Sequence, residues 1–180
     1  MKNVLKVTYI LILAVLLNIA FIWITNKPTH YVVTITTQNN VVLEQTYSIN
    51  EYNCVVQALY HEARGEGKEG VLAVASVIQN RVLSGVYPDE HCQVIHQPKQ
   101  FSYVHELRNK GQGLDVNPKP TEQEIYEFIQ VVAKDMVQFE FNTTLPKDVL
   151  WYAHKRVNNF WTRKKEVVVR IGNHVFYKKP

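Results

Sequence analysis

The sequence has few of the residues that mark several common protein classes. Its 180 residues include two cysteines, seven glycines and seven prolines. These are too few for a disulfide-rich scaffold, a zinc site with four thiolates, or a collagen-like or low-complexity chain. Apolar residues make up 46% of the chain and charged residues 20%, which excludes disorder over the whole length. We find no internal repeat and no nucleic-acid-binding signature, and the length suits one globular domain with an additional segment.

One long apolar run occurs, at the N-terminus. Residues 7–25 carry no charge, and a helix of that length, at about 1.5 Å per residue, spans roughly 28 Å, close to the hydrocarbon thickness of a bilayer. Lys2 and Lys6 precede the run, and Trp23 lies near its far end, where interfacial aromatic residues are common. We predict a single-pass transmembrane anchor over residues 1–27, with a cytoplasmic N-terminus and the rest of the chain outside the cytoplasm. The alternatives are a cleaved signal peptide, although no small-residue cleavage site follows, and a buried soluble helix.

A β-rich connector is predicted next, over residues 28–50. Segments 31–37 and 41–47 are rich in β-branched and aromatic residues, and Gln38-Asn39-Asn40 lies between them. This pattern is typical of a hairpin. We interpret the hairpin as a spacer between the membrane and a domain over residues 51–180. The alternative is a ligand-binding role.

Helical periodicity dominates residues 51–180. The predicted helices lie at 53–63, at 71–83, within 86–103, and from 121 to about 140. The last of them is expected to begin with a capping box formed by Thr121 and Glu124. Near the C-terminus, β-branched residues on both sides of Gly172-Asn173 predict a tight hairpin. The fold class is therefore α+β, mainly α, with a small C-terminal β-hairpin.

The charges of this domain are unevenly distributed. Residues 49–146 contain eight Lys/Arg and thirteen Asp/Glu, whereas residues 147–180 contain nine Lys/Arg and two Asp/Glu. A basic segment of this kind attracts an anionic polymer or a membrane surface. The alternative is an ordinary solvated face. A nucleic-acid partner does not fit a domain outside the cytoplasm.

Glu62 is the leading candidate for a catalytic group. Val55, Leu59 and Glu62 have the spacing of one helical face, so the carboxyl group extends an apolar stripe at the C-terminal end of the helix. Poor solvation and the negative end of the helix dipole both raise the pKa of a carboxyl group there. Such a group can act as a general acid near neutral pH. The alternative is a carboxylate that forms a salt bridge with Arg64 or with another cation.

Other catalytic arrangements are incomplete. The pair His61-Glu62 lacks the second histidine of a zinc-protease motif, because position 65 is Gly65. No recognised metal spacing joins the remaining histidines, and no Gly-x-Ser-x-Gly motif is present. We therefore predict neither a metal nor another cofactor. An amidase or endopeptidase, which usually needs zinc or a cysteine nucleophile, remains an alternative.

The two cysteines predict a disulfide. Cys54 lies in the first predicted helix, and Cys92 follows the second. A helix–turn–helix returns the chain towards the start of the first helix, so the two side chains can meet. The bond also requires an oxidising compartment, as the predicted topology provides. The alternative is two buried free thiols.

Several blocks of this sequence resemble one family. Tyr60-His-Glu-Ala-Arg-Gly-Glu66, followed by residues 69–81, is similar to the cell wall hydrolases typified by the spore cortex-lytic enzyme. Residues 87–95, 97–102 and 171–177 match further blocks in the same order. The resemblance covers roughly residues 52–178. It implies a lysozyme-like, mainly α fold that binds and cleaves the glycan strand of peptidoglycan.

The resemblance also implies roles for individual residues. Glu62 corresponds to the catalytic acid of the family, with Arg64 and Glu66 as supporting residues. The positions implied to bind the sugar are Gln100, Phe101, Ser102, Tyr152, Asn173 and His174. For Phe101 the alternative is core packing. For Tyr152, Asn173 and His174 the alternative is a hairpin held by local hydrogen bonds.

The expected reaction begins with protonation of the bond between MurNAc and GlcNAc by Glu62. A retaining glycosidase needs a second carboxylate about 5 Å away, and Glu66 and Asp89 are among the nearest in sequence. A lone carboxyl group favours a lytic transglycosylase, which forms a 1,6-anhydro product. The alternatives are a muramidase-type hydrolase and an inactive, membrane-anchored peptidoglycan-binding protein.

Overall fold

A computed structural model describes residues 30–36, 42–104, 116–138 and 140–180, with side chains from residue 47 onward. Within these residues, no helix combines the length and the apolar character needed to cross a membrane. The anchor predicted over residues 1–27 lies outside the described residues and stays a prediction.

The predicted N-terminal hairpin is present. Strand β1 (His30–Thr36) pairs antiparallel with β2 (Val42–Ser48), with His30 opposite Ser48 and Thr36 opposite Val42. Both strands agree with the prediction to within one residue. The turn residues Gln38-Asn39-Asn40 lie outside the described part of the chain.

Four α-helices follow in the part of the chain that the structure describes. They are α1 (Ile49–Ala63), α2 (Gly67–Leu83), α3 (His91–Ile95) and α4 (Gln123–Val137). Of the two caps that the sequence offers for helix α1, Asn53 and Ser48, the structure uses Ser48, the last residue of β2. The Ser48 Oγ accepts a hydrogen bond of 3.5 Å from the amide of Glu51, as an N-cap residue does.

The start of α4 differs from the prediction. Thr121 lies inside a 3-10 turn (Pro120–Glu122), and the helix begins after it. The carboxylate of Glu122, rather than that of Glu124, reaches back to a backbone amide, that of Lys119, at 3.3 Å. The proline at the first position of the turn favours this tighter geometry. The capping box predicted from Thr121 and Glu124 was therefore wrong.

Helix α2 forms the centre of the core. Twelve of its seventeen residues are buried, and it packs against α1, α3, α4 and the first strand of the C-terminal sheet. Val71, Val74, Val77 and Ile78 are fully buried. Burial of each such side chain contributes about 1.5–3 kcal/mol, which explains why this segment is apolar on nearly all sides.

The C-terminal sheet has three strands. Strands β3 (Val149–His154), β4 (Glu166–Ile171) and β5 (His174–Lys178) are antiparallel in the order β3-β5-β4. The predicted hairpin, β4–β5, is confirmed. Strand β3 was missed, because six residues without a regular polar alternation give no strand signal of their own. The hairpin is thus part of a larger sheet with β5 at its centre.

Buried polar side chains on α2 bind the start of β3. Asn80 Nδ2 donates to the carbonyls of Pro146 (2.8 Å) and Val149 (3.2 Å). Arg81 Nε donates to the carbonyl of Leu150 at 2.8 Å. The pairing of β3 with β5 shifts register at Leu150, as at a β-bulge. These contacts fix β3 beside the helices.

The predicted disulfide is present. Cys54 of α1 is joined to Cys92 of α3, with the Cα atoms 5.4 Å apart. The amide of Cys92 also donates to the Glu51 carboxylate at 3.1 Å. The disulfide therefore ties α3 to the N-terminal half of the helix that carries Glu62.

Reduction of this disulfide is expected to lower the free energy of unfolding by roughly 3–4 kcal/mol, because the bond closes a loop of 38 residues in the unfolded chain. Urea unfolding with and without reductant measures the difference. A Cys54→Ser/Cys92→Ser variant should show no response to reductant. If both cysteines can be alkylated in unreduced, unfolded protein, the bond does not form.

Candidate active site

A cleft of about 660 Å³ opens between the C-terminal end of α1 and strand β3. Helices, a loop and the sheet all contribute to its walls. The described residues that line it are Glu62, Arg81, Lys99, Gln100, Ser102, Trp151, Tyr152, Ala153, His154, Val157, Trp161, Lys165 and His174. Glu62 is the only carboxylate among these described lining residues.

Glu62 reaches the cleft because of its position on α1. Val55 and Leu59 are fully buried on the same face, and Glu62 follows them one residue before the helix ends at Ala63. The side chain is half-buried. The stripe predicted from the sequence is therefore real, and it ends in the cleft rather than in the core.

Two opposing effects set the pKa of Glu62. Burial raises it, and a hydrogen bond of 3.1 Å from the Tyr152 hydroxyl to Glu62 Oε2 lowers it. Burial is the larger effect, so the pKa lies above its ordinary value. Burial and the charge of Glu62 also raise the pKa of Tyr152, which keeps the phenol protonated as a donor. A carboxyl group in this setting can hold a proton and deliver it into the cleft.

Arg64 is not a partner of Glu62. Its Nε contacts Glu122 Oε1 at 3.3 Å, and its Nη1 donates to the carbonyls of Tyr60 (3.1 Å) and His61 (3.4 Å). It does not line the cleft. The salt bridge considered as the alternative for Glu62 is therefore absent, and any support from Arg64 acts through the C-terminal end of α1.

Glu66 joins the α1–α2 turn to the sheet. Its carboxylate accepts hydrogen bonds from the Asn173 amide (2.6 Å) and from Asn173 Nδ2 (3.1 Å). Burial raises the pKa of Glu66, but these hydrogen bonds outweigh it and leave the pKa lowered. An ionised carboxylate engaged in this way is suited to hold the β4–β5 turn rather than to attack a substrate.

The six predicted sugar-binding residues divide into two groups. Gln100, Ser102, Tyr152 and His174 line the cleft as the resemblance implied. Phe101 does not, because its side chain is 1% exposed and belongs to the core. Asn173 is occupied by Glu66 and is absent from the lining. For Phe101 and Asn173 the structure favours the alternatives of core packing and local bracing.

Sequence reasoning missed much of the far wall. Trp151, Val157, Trp161 and Lys165 line the cleft, and the Lys165 Nζ lies 3.4 Å from the centre of the Trp151 ring. These residues flank or belong to β3, which was not predicted. The two tryptophans were the available signal, because tryptophan rings are enriched at binding surfaces. Arg81 also lines the cleft and was missed.

One group of possible metal ligands occurs among the described residues. The one group there with metal-ligand spacing consists of Cys54, Cys92 and His96, whose ligand atoms lie within 4.8 Å of one another. Both sulfurs are taken by the disulfide, so no thiolate is available. None of the three residues lines the cleft.

Comparison with known proteins identifies the class. A family model described as Cell Wall Hydrolase matches residues 65–177, and the chain belongs to this cell wall hydrolase family. The matched range includes Glu66 and His174 and begins just after Glu62.

Two curated relatives are spore cortex-lytic enzymes. The chain is 33% identical to the spore cortex-lytic enzyme of Oceanobacillus iheyensis over 144 residues, which are 77% of this chain and 45% of the relative. It is 30% identical to the spore cortex-lytic enzyme of Bacillus subtilis over 132 residues, which are 72% of this chain and 38% of the relative. The chain thus spans less than half of either relative.

The similar structures are catalytic domains. The catalytic domain of the germination-specific lytic transglycosylase SleB from Bacillus anthracis superimposes with a TM-score of 0.58 at 28% identity, covering 73% of this chain and 97% of that domain. The Bacillus cereus SleB catalytic domain gives 0.57 at 29% identity, covering 73% and 92%. The fold of this chain is therefore that of the SleB catalytic domain, with helices and a small antiparallel sheet.

Gly172→Ala is expected to lower the free energy of unfolding by about 1–3 kcal/mol, because residue 172 has a φ of +57° and an added Cβ would meet the Glu66 carboxylate. Chemical denaturation measures the effect. Gly67→Ala is the matched control, since residue 67 also has a positive φ, +70°, and nothing lies within 4 Å of its added Cβ. Equal effects at the two glycines would contradict the proposed role of the Glu66–Asn173 contact.

Tyr152→Phe is expected to move the alkaline limb of the pH–rate profile to higher pH. The lost hydrogen bond favours the carboxylate, so its removal raises the pKa of Glu62 and the acid form persists to higher pH. Rates of glycan cleavage across pH measure the shift. Tyr47→Phe, far from the cleft, is the control. A shift to lower pH would show that Tyr152 does not act on the Glu62 carboxylate.

Proposed function

We propose that this protein cleaves the glycan strand of peptidoglycan at the bond between MurNAc and GlcNAc, with Glu62 as general acid. The observation that carries the proposal is the position of Glu62, a half-buried carboxyl group with a raised pKa at the wall of an open cleft. Membership of the cell wall hydrolase family and the similarity to spore cortex-lytic enzymes support this choice of substrate.

The first step transfers the proton of Glu62 to the glycosidic oxygen. The bond between this oxygen and the anomeric carbon of MurNAc breaks, the GlcNAc end of the strand leaves as an alcohol, and positive charge develops on the sugar ring. Glu62 is now a carboxylate. The hydroxyl of Tyr152, which donates to it at 3.1 Å, stabilises this charged form.

In the second step, Glu62 acts as the base. It takes a proton from the hydroxyl that attacks the anomeric carbon, which restores the acid for the next cycle. We infer that the attacking group is the 6-hydroxyl of the same MurNAc, so that the product is a 1,6-anhydro sugar. Attack by water instead would make the enzyme a muramidase-type hydrolase, which is the second candidate.

The surroundings of Glu62 favour the internal hydroxyl. A retaining hydrolase needs a nucleophilic carboxylate about 5 Å from the acid, and none of the other described lining residues is acidic. Glu66 is held by Asn173, and Asp89 is absent from the lining. The lytic transglycosylase name of the similar Bacillus anthracis domain agrees with this choice.

We propose that the reaction takes place outside the cytoplasm. The uncharged run over residues 7–25 is long enough to anchor the chain in a membrane. The Cys54–Cys92 disulfide suits an oxidising compartment. Peptidoglycan lies on the same side of the membrane.

Mass analysis of the fragments released from purified sacculi tests the proposal. A lytic transglycosylase releases anhydro-MurNAc ends, which are lighter by one water than the reducing ends left by a hydrolase. Anhydro ends support the proposal, and reducing MurNAc ends support the muramidase alternative. Binding to sacculi without any released fragment would show an inactive peptidoglycan-binding protein. Loss of peptides from an intact glycan would show an amidase or endopeptidase.

Glu62→Gln is expected to reduce glycan cleavage by at least about two orders of magnitude, because the amide keeps the shape but has no proton of suitable acidity to donate. Release of soluble glycan fragments measures the rate, and circular dichroism checks that the variant is folded. Glu69→Gln removes an exposed carboxylate of α2 that lies outside the cleft and should leave the rate unchanged. Near-normal turnover by folded Glu62→Gln protein would contradict the assignment.

A further inference from the structure

A basic loop beside the cleft has no role in the chemistry of Glu62. The connection from β3 to β4, residues 155–165, contains five cationic residues and no acidic residue. The five are Lys155, Arg156, Arg163, Lys164 and Lys165. Like charges packed along one short loop repel each other, and an anionic ligand relieves this repulsion. We call residues 155–165 the basic loop.

The basic loop is held in one conformation by its own hydrogen bonds. The side chain of Asn159 accepts from the amides of Trp161 and Thr162, each at 3.2 Å. The Thr162 hydroxyl accepts from the Asn159 amide at 3.1 Å. The amide of Lys155 donates to the Asn173 carbonyl at 2.6 Å, in the turn that Glu66 binds. A ligand would therefore meet a preformed surface.

This surface is continuous with the cleft. Val157, Trp161 and Lys165 line the cleft wall. Just outside it, Phe160 is 66% exposed, and the Lys164 Nζ lies 5.1 Å from the centre of its ring. Arg163 is also exposed. A polymer bound in the cleft and leaving at this end would pass along the cations and the exposed ring of the basic loop.

The positive charge of the basic loop favours binding of anionic groups on the polymer over uncharged ones. The sugars of the glycan strand present uncharged hydroxyl and acetamido groups, whereas the peptide stems on MurNAc end in carboxylates. Guanidinium and ammonium groups bind carboxylates through charge-assisted hydrogen bonds. Burial and the neighbouring Lys179 lower the pKa of Lys165, so a carboxylate placed there would stabilise its charged form.

We propose that Arg163, Lys164 and Lys165 bind the carboxylates of the peptide stems, so that the enzyme favours peptide-bearing over peptide-free glycan strands. This inference rests on the proposed function, since it assigns to the same cleft a preference within the same polymer. The basic loop binds the peptide stem, while Glu62 acts on the sugar.

The test compares two glycans prepared from one batch of sacculi, both stripped of phosphate-containing polymers. One keeps its peptide stems. The other has lost them to an amidase, and the lactyl carboxylate that this cleavage leaves on each MurNAc has been converted to a neutral amide. Both glycans are assayed with the unmodified protein, with R163Q/K164Q and with the control K119Q/K147Q. The two double variants lose the same charge, but residues 119 and 147 lie outside the basic loop and do not line the cleft.

The quantity that decides is the ratio of kcat/KM on peptide-bearing glycan to kcat/KM on peptide-free glycan. We expect this ratio to exceed one for the full-length protein and to fall about fivefold in R163Q/K164Q, the size expected for exposed ion pairs. The control should keep the ratio of the unmodified protein. An equal ratio in all three proteins would overturn the inference. It would also be overturned if R163Q/K164Q lost binding to phosphatidylglycerol vesicles while its ratio stayed unchanged, because the loop would then be a membrane contact.

A failure of the proposed function gives a different result. If the unmodified protein cleaves neither glycan, a pull-down with each glycan immobilised on beads replaces the rate measurement. Preferential binding of the peptide-bearing glycan, lost in R163Q/K164Q and kept in K119Q/K147Q, would still support the inference. Equal binding of both glycans by all three proteins would overturn it.

Discussion

The attachment of strand β3 to helix α2 is the constraint on which the candidate site depends. The acid comes from the end of α1, whereas its nearest partner, Tyr152, comes from β3. Asn80 and Arg81 of α2 donate three hydrogen bonds to carbonyls at the start of that strand. Buried polar groups of this kind are costly when unpaired. The hydrogen bonds of Asn80 and Arg81 therefore fix the position of β3 along α2. Outside the cleft, Glu66 holds the β4–β5 turn through Asn173, and the disulfide joins the N-terminal half of α1 to α3.

Within this frame, the site balances two effects on one carboxyl group. An apolar stripe carries Glu62 out of water and favours its protonated form, whereas the Tyr152 hydroxyl favours the ionised form. A group that must give a proton and then take one back needs both. Burial favours the acid form that donates the proton. The hydrogen bond from Tyr152 stabilises the carboxylate that remains after the proton has been transferred. The neighbouring Glu66 shows the opposite outcome, because two hydrogen bonds from Asn173 outweigh its burial.

Local patterns in the sequence were sufficient for some of these features and not for others. The spacing of Val55, Leu59 and Glu62 on one helix predicted the stripe and its terminal carboxyl group, and the position of two cysteines predicted their disulfide. Strand β3 could not be predicted, because its pairing partner β5 lies far along the chain and a bulge interrupts its register. The tryptophans of the cleft wall were missed with it. The positions of Phe101 and Arg64 could not be predicted from local sequence. Core packing decides where Phe101 lies, and an ion pair with Glu122 decides where Arg64 lies.

The central claim is that the pKa of Glu62 lies above that of an exposed glutamate, because burial outweighs its hydrogen bond. A ¹³C NMR titration of glutamate carboxyl carbons tests it most directly, with the Glu62→Gln spectrum identifying the resonance. The account predicts that this resonance titrates at clearly higher pH than those of the exposed glutamates. Titration of Glu62 together with the exposed glutamates, or below them, would contradict the account.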